Sequence, residues 1–280
     1  MPSLVGSEMC IRDRPCGLSP SAIQEAKQRL MPLITEVKYS LFTKRMEKAN
    51  QEIYYKFKVR QAQRIIELAH EIFYDNMVVA FSGGKDSLVV LHLTLKKFPQ
   101  VPVLFNNTTV EFPETVMYVK KLQKEWGFTL YITQQKKPFL KAVEERGWAS
   151  HENRWCCKPY KDQPAFNFLK ENEIDAEITG TTRTESIYRR SLTPFRIPKR
   201  KPSILRINPI YDWNQWEVWR YIKENQLPYN PLYDKGYRRI GCWCCPLNGP
   251  SHYKRLRKTH STLFNFLRKF RPPHPVLSKL

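Results

Sequence analysis

The sequence predicts an α/β fold built on a doubly wound parallel sheet, and three observations predict it. From Asn76 onward, short apolar runs alternate with amphipathic stretches, the pattern of strands joined through crossover helices. The first apolar run, Met77-Val78-Val79-Ala80-Phe81, leads through Ser82-Gly83-Gly84-Lys85-Asp86-Ser87 into Leu88-Val89-Val90-Leu91-His92-Leu93. That order reads as buried strand, tight glycine turn and helix. The preceding stretch, residues 15–75, is rich in Lys, Glu, Gln and Ala with helical spacing, and marks an N-terminal helical extension.

Taken in order, residues 1–14 show no element pattern. Val5 to Arg14 resembles translated sequencing-adapter DNA, and the segment is set aside as a non-native or disordered tail. Residues 15–75 are expected to hold two or three helices broken near Pro32, because proline cannot continue a helix. A nucleotide domain is expected over 76–235. Its strand candidates are Met77–Phe81, Val101–Phe105, Phe128–Thr133, Ala176–Gly180 and Leu205–Asn208. Its helix candidates are Ser87–Lys97, Pro113–Trp126, Leu140–Arg146, Pro164–Glu173 and Trp213–Asn225. Ser191–Ser203, rich in Pro and Lys/Arg, reads as a mobile basic loop. Residues 236–280 form a basic, cysteine-bearing C-terminal segment with one amphipathic helix near Ser261–Lys269.

The chain has 280 residues, enough for one large domain or one with a smaller attachment. No apolar run approaches the roughly 18–20 residues that cross a bilayer, and no secretory segment is present, so a cytoplasmic location with no membrane partner is expected. The net charge of +21 is concentrated. Lys235–Leu280 carries eleven Lys/Arg and no Asp or Glu, and Thr181–Arg206 carries eight Lys/Arg against one Glu. Such a local field gathers anions, either a nucleotide or a polyanion such as tRNA or DNA.

The glycine turn has specific chemistry. Gly83 and Gly84 allow a sharp turn without a Cβ in the way. A helix N-terminus then presents unpaired N–H groups and a positive dipole end, where phosphate binds. Ser82 and Ser87 add hydroxyls, Lys85 adds a cation, and Asp86 is placed to hold Mg²⁺ or orient a ribose or phosphate. The spacing of a Walker A loop is absent. Five of the seven cysteines fall in two groups: Cys156 with Cys157, and Cys242, Cys244 and Cys245 some 85 residues later. Four thiolates close a tetrahedral Zn²⁺ site or hold a [4Fe–4S] cluster, and the adjacent pair tilts the reading to iron–sulfur.

Ser82–Ser87 resembles the pyrophosphate loop of the PP-loop ATP pyrophosphatase superfamily, whose Rossmann-like sheet the alternation matches. Arg154-Trp155-Cys156-Cys157-Lys158-Pro159 with Gly241-Cys242-Trp243-Cys244-Cys245-Pro246 is similar to the cysteine pattern of the phosphoadenosine-phosphosulfate (PAPS) reductase family. Asn107-Thr108-Thr109-Val110-Glu111-Phe112-Pro113-Glu114-Thr115 resembles that family's D-T-x-x-x-F-P-E-T loop, with Asn107 in place of Asp. Gly180-Thr181-Thr182-Arg183-Thr184-Glu185-Ser186 resembles its G-x-R-x-x-E-S segment, with the arginine shifted by one. The resemblance spans roughly residues 76–253. It implies a [4Fe–4S] cluster on Cys156, Cys157, Cys242 and Cys245, with Zn²⁺ as the alternative. It implies an adenine nucleotide, ATP or PAPS-like, on Ser82–Ser87, Asn107, Thr108, Glu185, Arg189 and Arg190, with Mg²⁺ near Asp86. Lys85, Asp86 and Arg183 are the expected catalytic residues, and Arg183, Arg189 and Arg190 the expected phosphate or sulfate clamp.

Two departures from the reductases shape the expected activity. Their C-terminal E-C-G-x-H tail is not found, since no cysteine follows Cys245. Their pyrophosphate loop is usually degenerate, whereas S-G-G-K-D-S is complete here. The expected function is therefore ATP-dependent sulfur transfer with release of AMP and pyrophosphate, served by a sulfur- or electron-donor protein. Reduction of PAPS or adenylyl sulfate is the second reading, and a zinc-stabilised nucleic-acid-binding module the third.

Overall fold

The computed structural model describes residues 51–198 and 203–270. The expected tail at 1–14 and the expected helices within 15–50 lie outside them. The N-terminal extension is seen as one 23-residue helix, α1 (Gln51–Phe73). A six-stranded sheet follows: β1 (Met77–Ala80), β2 (Val103–Asn107), β3 (Leu130–Gln134), β4 (Ala176–Thr179), β5 (Phe195–Arg196) and β6 (Leu205–Ile207). Its order is β3-β2-β1-β4-β6-β5, parallel except for β5. The helices are α2 (Lys85–Leu95), α3 (Pro113–Trp126), α4 (Phe139–Arg146), α5 (Gln163–Glu171), α6 (Gln215–Glu224), α7 (Pro250–Thr259) and α8 (Ser261–Phe270).

The chain winds outward from β1 in both directions, through β2 to β3 on one side and through β4 to β6 on the other. The order reverses between β1 and β4, and in open parallel sheets ligands bind beyond the carboxyl ends of the strands at that point. The Ser82–Ser87 turn leaves the end of β1 there. β1 lies on the axis of the sheet, with Val79 opposite Val103 on β2 and Ile178 on β4. Met77, Val78 and Val79 are fully buried, as an interior strand covered on both faces requires.

Three apolar groups hold the molecule together. The main core joins α1, α2, α3 and α6 to one face of the sheet through residues such as Ile65, Leu88, Leu91, Phe105 and Trp213. Val78, Leu104, Ala165, Leu169 and Ile204 close the other face under α5. A separate cluster, including Phe112, Phe139, Tyr160, Trp243, Tyr253 and Leu267, knits α4, α7 and α8 around the cysteine segments. α1 is pinned by buried Lys58, whose Nζ bonds Glu217 and the Asp212 carbonyl.

Two expectations need correction. The Ser191–Ser203 stretch contains β5, an antiparallel edge strand with Phe195 opposite Ile207. Pro194 and Pro198 flank it, and proline is tolerated at a sheet edge. Among the described residues the C-terminal segment holds two helices, and α7 starts with Pro250 at its first turn, where the ring costs no hydrogen bond. Its abundance of cations masks an apolar stripe reduced to Tyr253 and Leu256. No helix among the described residues is long and apolar enough to cross a membrane.

Candidate functional site

The phosphate loop is shaped by its own serines. Ser87 Oγ donates to the Gly84 carbonyl at 2.9 Å, accepts the Ser82 amide at 3.3 Å and lies 3.1 Å from Ser82 Oγ. Gly83 has φ +72°, and a Cβ there would stand 2.8 Å from Thr115 Cγ2, so only glycine fits. Asn230 Nδ2 donates to the Gly83 carbonyl and to Thr115 Oγ1, tying the loop to α3. α2 begins at Lys85 with no side-chain cap, which leaves first-turn amides for a ligand. The Lys85 amide donates to Tyr233 Oη at 2.9 Å.

Lys85 is buried, and its Nζ pairs with Asp86 Oδ2 at 2.5 Å. Asp86 Oδ1 is buried without a hydrogen-bond partner. An orphaned carboxylate oxygen on a phosphate-binding turn fits Mg²⁺, which is held through one or two carboxylates plus phosphate oxygens. Gly180, just past β4, lies flush against this turn. A Cβ on it would meet Asp86 C and Ser87 N at 2.5 Å. That role for Gly180 was not foreseen, and its place at the carboxyl end of a strand was the available signal.

The arginines separate into two kinds. Arg183 is half-buried and anchored: its Nε donates to the Leu192 carbonyl at 2.6 Å and its guanidinium lies 4.6 Å over the Tyr211 ring. Arg189 pairs with Glu185. Burial, then the nearby charges of Arg239 and Arg206, depress its pKa, while Asp86 acts the other way. Arg206, paired with the buried Glu177 carboxylate, lines the cavity that Ser82 borders, and Arg239 lines the cysteine cavity; sequence reasoning singled out neither. Arg190 is exposed. Asn107 ends β2, where its side chain bonds Gln134 and accepts the Thr109 amide. Thr109, at φ +65°, is held in the left-handed turn that follows.

Thr108 faces the cysteines. Its buried hydroxyl donates to Glu111 Oε1 at 2.7 Å and lies 3.4 Å from Cys242 Sγ. Cys156, Cys157, Cys242 and Cys245 all line one cavity of about 300 Å³, with Cys244, Arg154, Lys161 and Arg239. Sequence positions some 85 residues apart are therefore brought to one place. Among the described residues, no three His, Cys, Asp or Glu side chains form a closed metal-binding set. The donor chemistry fits a thiolate-bound inorganic group, and a cavity between the sulfurs suits a polynuclear cluster better than a single Zn²⁺, which draws its ligands to about 2.3 Å.

The charges around the thiols are tightly interdependent. A hydrogen bond between the adjacent pair leaves the proton on Cys156 and lowers Cys157 to about 6, against its burial. Cys242 is pushed up to about 12 by burial and then by Glu111. Lys161 is raised because Cys242 outweighs its burial, with further help from Glu111. Burial pushes Glu111 up. Lys161 follows Cys157 by four residues on the π-helical turn Lys158–Asp162, which carries it over the cavity. That spacing was its only signal in the sequence.

A second cavity of about 240 Å³ opens beside β1 and β2. Ser82, Asn106, Glu111, Glu177 and Arg206 line it. Thr108, Lys161, Ile240 and Gly241 belong to both cavities. Ser82, at the start of the phosphate loop, and the thiols thus line neighbouring cavities that share these four residues.

Comparison with known proteins bears on this arrangement. The sequence model of the phosphoadenosine phosphosulfate reductase domain matches residues 76–248. Two uncharacterized proteins of Methanocaldococcus jannaschii are 36% and 34% identical over 186 and 224 residues. The matches cover 66% and 77% of this chain but 45% and 46% of those proteins, so the chain spans less than half of their length. Adenosine 5'-phosphosulfate reductase of Bacillus mycoides is 34% identical over 190 residues, 66% of this chain and 80% of that one. The crystal structure of PAPS reductase from Candida auris, a phosphate complex, aligns with TM-score 0.56 and 28% identity over 65% of this chain and 88% of that chain.

Proposed function

The chain belongs to the phosphoadenosine phosphosulfate reductase family, and from that premise we propose that it cleaves ATP between the α- and β-phosphates to activate an acceptor for sulfur transfer. The observation that carries the reading is Asp86, paired with Lys85 through one oxygen and leaving the other buried and unpartnered at the start of α2. A substrate that arrives already activated, such as a sulfonucleotide, does not call for that added carboxylate. ATP arriving with Mg²⁺ does.

In this mechanism the first-turn amides of α2 and Lys85 receive the phosphate chain, and Arg189 adds charge from the flank. Asp86 Oδ1 is the ligand for Mg²⁺, which when bound offsets phosphate charge. The acceptor oxygen forms a bond to the α-phosphorus as the bond to the β-bridging oxygen breaks, and pyrophosphate leaves with the electron pair. A reduced sulfur then displaces AMP. Cys156, Cys157, Cys242 and Cys245 hold the inorganic group, and a [4Fe–4S] cluster there supplies a binding point for sulfur or an electron reservoir. Lys161 and Thr108 stand in the wall between the two chemistries. The nucleotide domain is taken as residues 76–235.

The second reading, reduction of a sulfonucleotide, is favoured by the Bacillus relative and the Candida auris structure. The test is run on full-length protein purified without oxygen and assayed for iron. Pyrophosphate released from ATP in the presence of sulfide and candidate acceptors supports the proposal. Sulfite formed from PAPS or adenylyl sulfate with a thiol reductant, and no pyrophosphate from ATP, replaces it with the reductase.

A further inference from the structure

We propose that the outer face of α7 and α8 is a docking track for single-stranded nucleic acid, laid beside the mouth of the cysteine cavity. On α7, Tyr253 and Leu256 turn inward while Lys254, Arg257 and Lys258 are exposed, at the spacings that make one stripe of a helix. On α8, Phe264 and Leu267 turn inward while Arg268 and Lys269 are exposed. Like charges at i and i+4, such as Lys254 and Lys258, repel one another on the helix surface. A phosphate backbone laid along the stripe relieves them all at once.

The position of this face gives it a purpose. His252 on α7 lines the cysteine cavity, and Arg154 and Arg239 carry the positive field to its wall. Trp148, in the same wall, donates its indole N–H to the Phe270 carbonyl at the end of α8. Phe270 is 54% exposed, with Phe266 tilted against its ring and Lys269 Nζ beside it, an aromatic and cationic pair on which an unpaired base stacks. A strand held by its phosphates on the helices therefore has a stacking surface at the edge of the thiol cavity. A duplex, whose bases are already stacked, gains nothing from that surface. That the strand is the sulfur acceptor rests on the function proposed above, whereas its binding does not.

The test is fluorescence anisotropy of the full chain with labelled single-stranded RNA of about 20 nucleotides, the DNA of the same sequence, its duplex, and heparin. Salt-dependent binding of a single strand, tighter than duplex or heparin, is the expected result, and the stronger of the RNA and DNA arms names the strand. The triple variant Lys254→Glu/Lys258→Glu/Arg268→Glu should bind at least about tenfold more weakly, with the log–log salt slope reduced by about 2. Its ATP affinity and melting temperature should stay unchanged. Equal binding by the variant, or tighter binding of duplex or heparin, overturns the track. Strand binding that persists while ATP yields no pyrophosphate leaves the track standing and removes the sulfur-transfer reading.

Discussion

The phosphate loop and the cysteine cavity meet at one wall and are built in opposite ways. The loop is held by hydrogen bonds that are already made: Ser87 to Gly84, Asn230 to Gly83, Tyr233 to the Lys85 amide. The cavity gathers thiols whose protonation states are set against one another, with Cys157 lowered and Cys242 raised. A site of the first kind is organised before its ligand arrives, and binding spends little on ordering. A site of the second kind is completed by what it binds, because clustered half-buried thiols can all ionise only with a cation among them. The comparison teaches that nucleotide binding and metal binding should be separable in this molecule.

Cys242→Ser should give the largest effect and break the comparison if it fails. Bound iron should fall by more than the roughly 10–100-fold typical of changes outside the ligand shell, while ATP affinity, read by calorimetry, stays within about threefold. Loss of both together would show that the cavity shapes the loop. The converse is Gly180→Ala. Its Cβ would have to displace backbone at Asp86 and Ser87, at a cost of about 3 kcal/mol in thermal unfolding. ATP binding should be lost with the iron retained.

Asp86→Asn sharpens the contrast further. Pyrophosphate release should drop on the order of a hundredfold and lose its dependence on Mg²⁺ concentration, and melting should fall because buried Lys85 loses its charge partner. Tyr233→Phe removes one bond to the loop and should cost about 1 kcal/mol, seen as a higher KM for ATP. The smallest effect concerns Glu114, at the start of α3, which takes hydrogen bonds from Lys235 and His260 and so ties α3 to the C-terminal helices. Burial pushes its carboxyl up, but those partners more than offset it and hold it below the usual range. The stabilisation is then full above the unfolded-state value and fades as pH falls through the lowered one. Glu114→Gln should be about 1 kcal/mol less stable at pH 7, and the gap should close in acid melts.

What was legible in the sequence follows the same division. The loop is contiguous and sits between an apolar run and a helix, so Ser82–Ser87 could be read directly, and the strand–helix alternation fixed its place at the end of β1. The cysteines could be grouped by spacing, though only the fold brings 156 and 242 together. The rest depends on tertiary proximity. Lys161, Glu111 and Arg239 reach the thiols from a π-helical turn, a loop and the C-terminal segment, and none stands at a fixed motif position, Glu111 falling on a variable one. Arg183, by contrast, carries a motif, but its guanidinium is spent on Leu192 and Tyr211. α7 escaped notice because its two inward residues were too few to show a period.

Thr108, Lys161, Ile240 and Gly241 line both cavities and are their common wall. Sulfur in its reduced, nucleophilic forms is easily lost to oxygen and to bulk solvent. On the sulfur-transfer reading proposed above, a donor atom leaving the thiol cavity has only these shared residues to pass, which shortens its exposure to the medium.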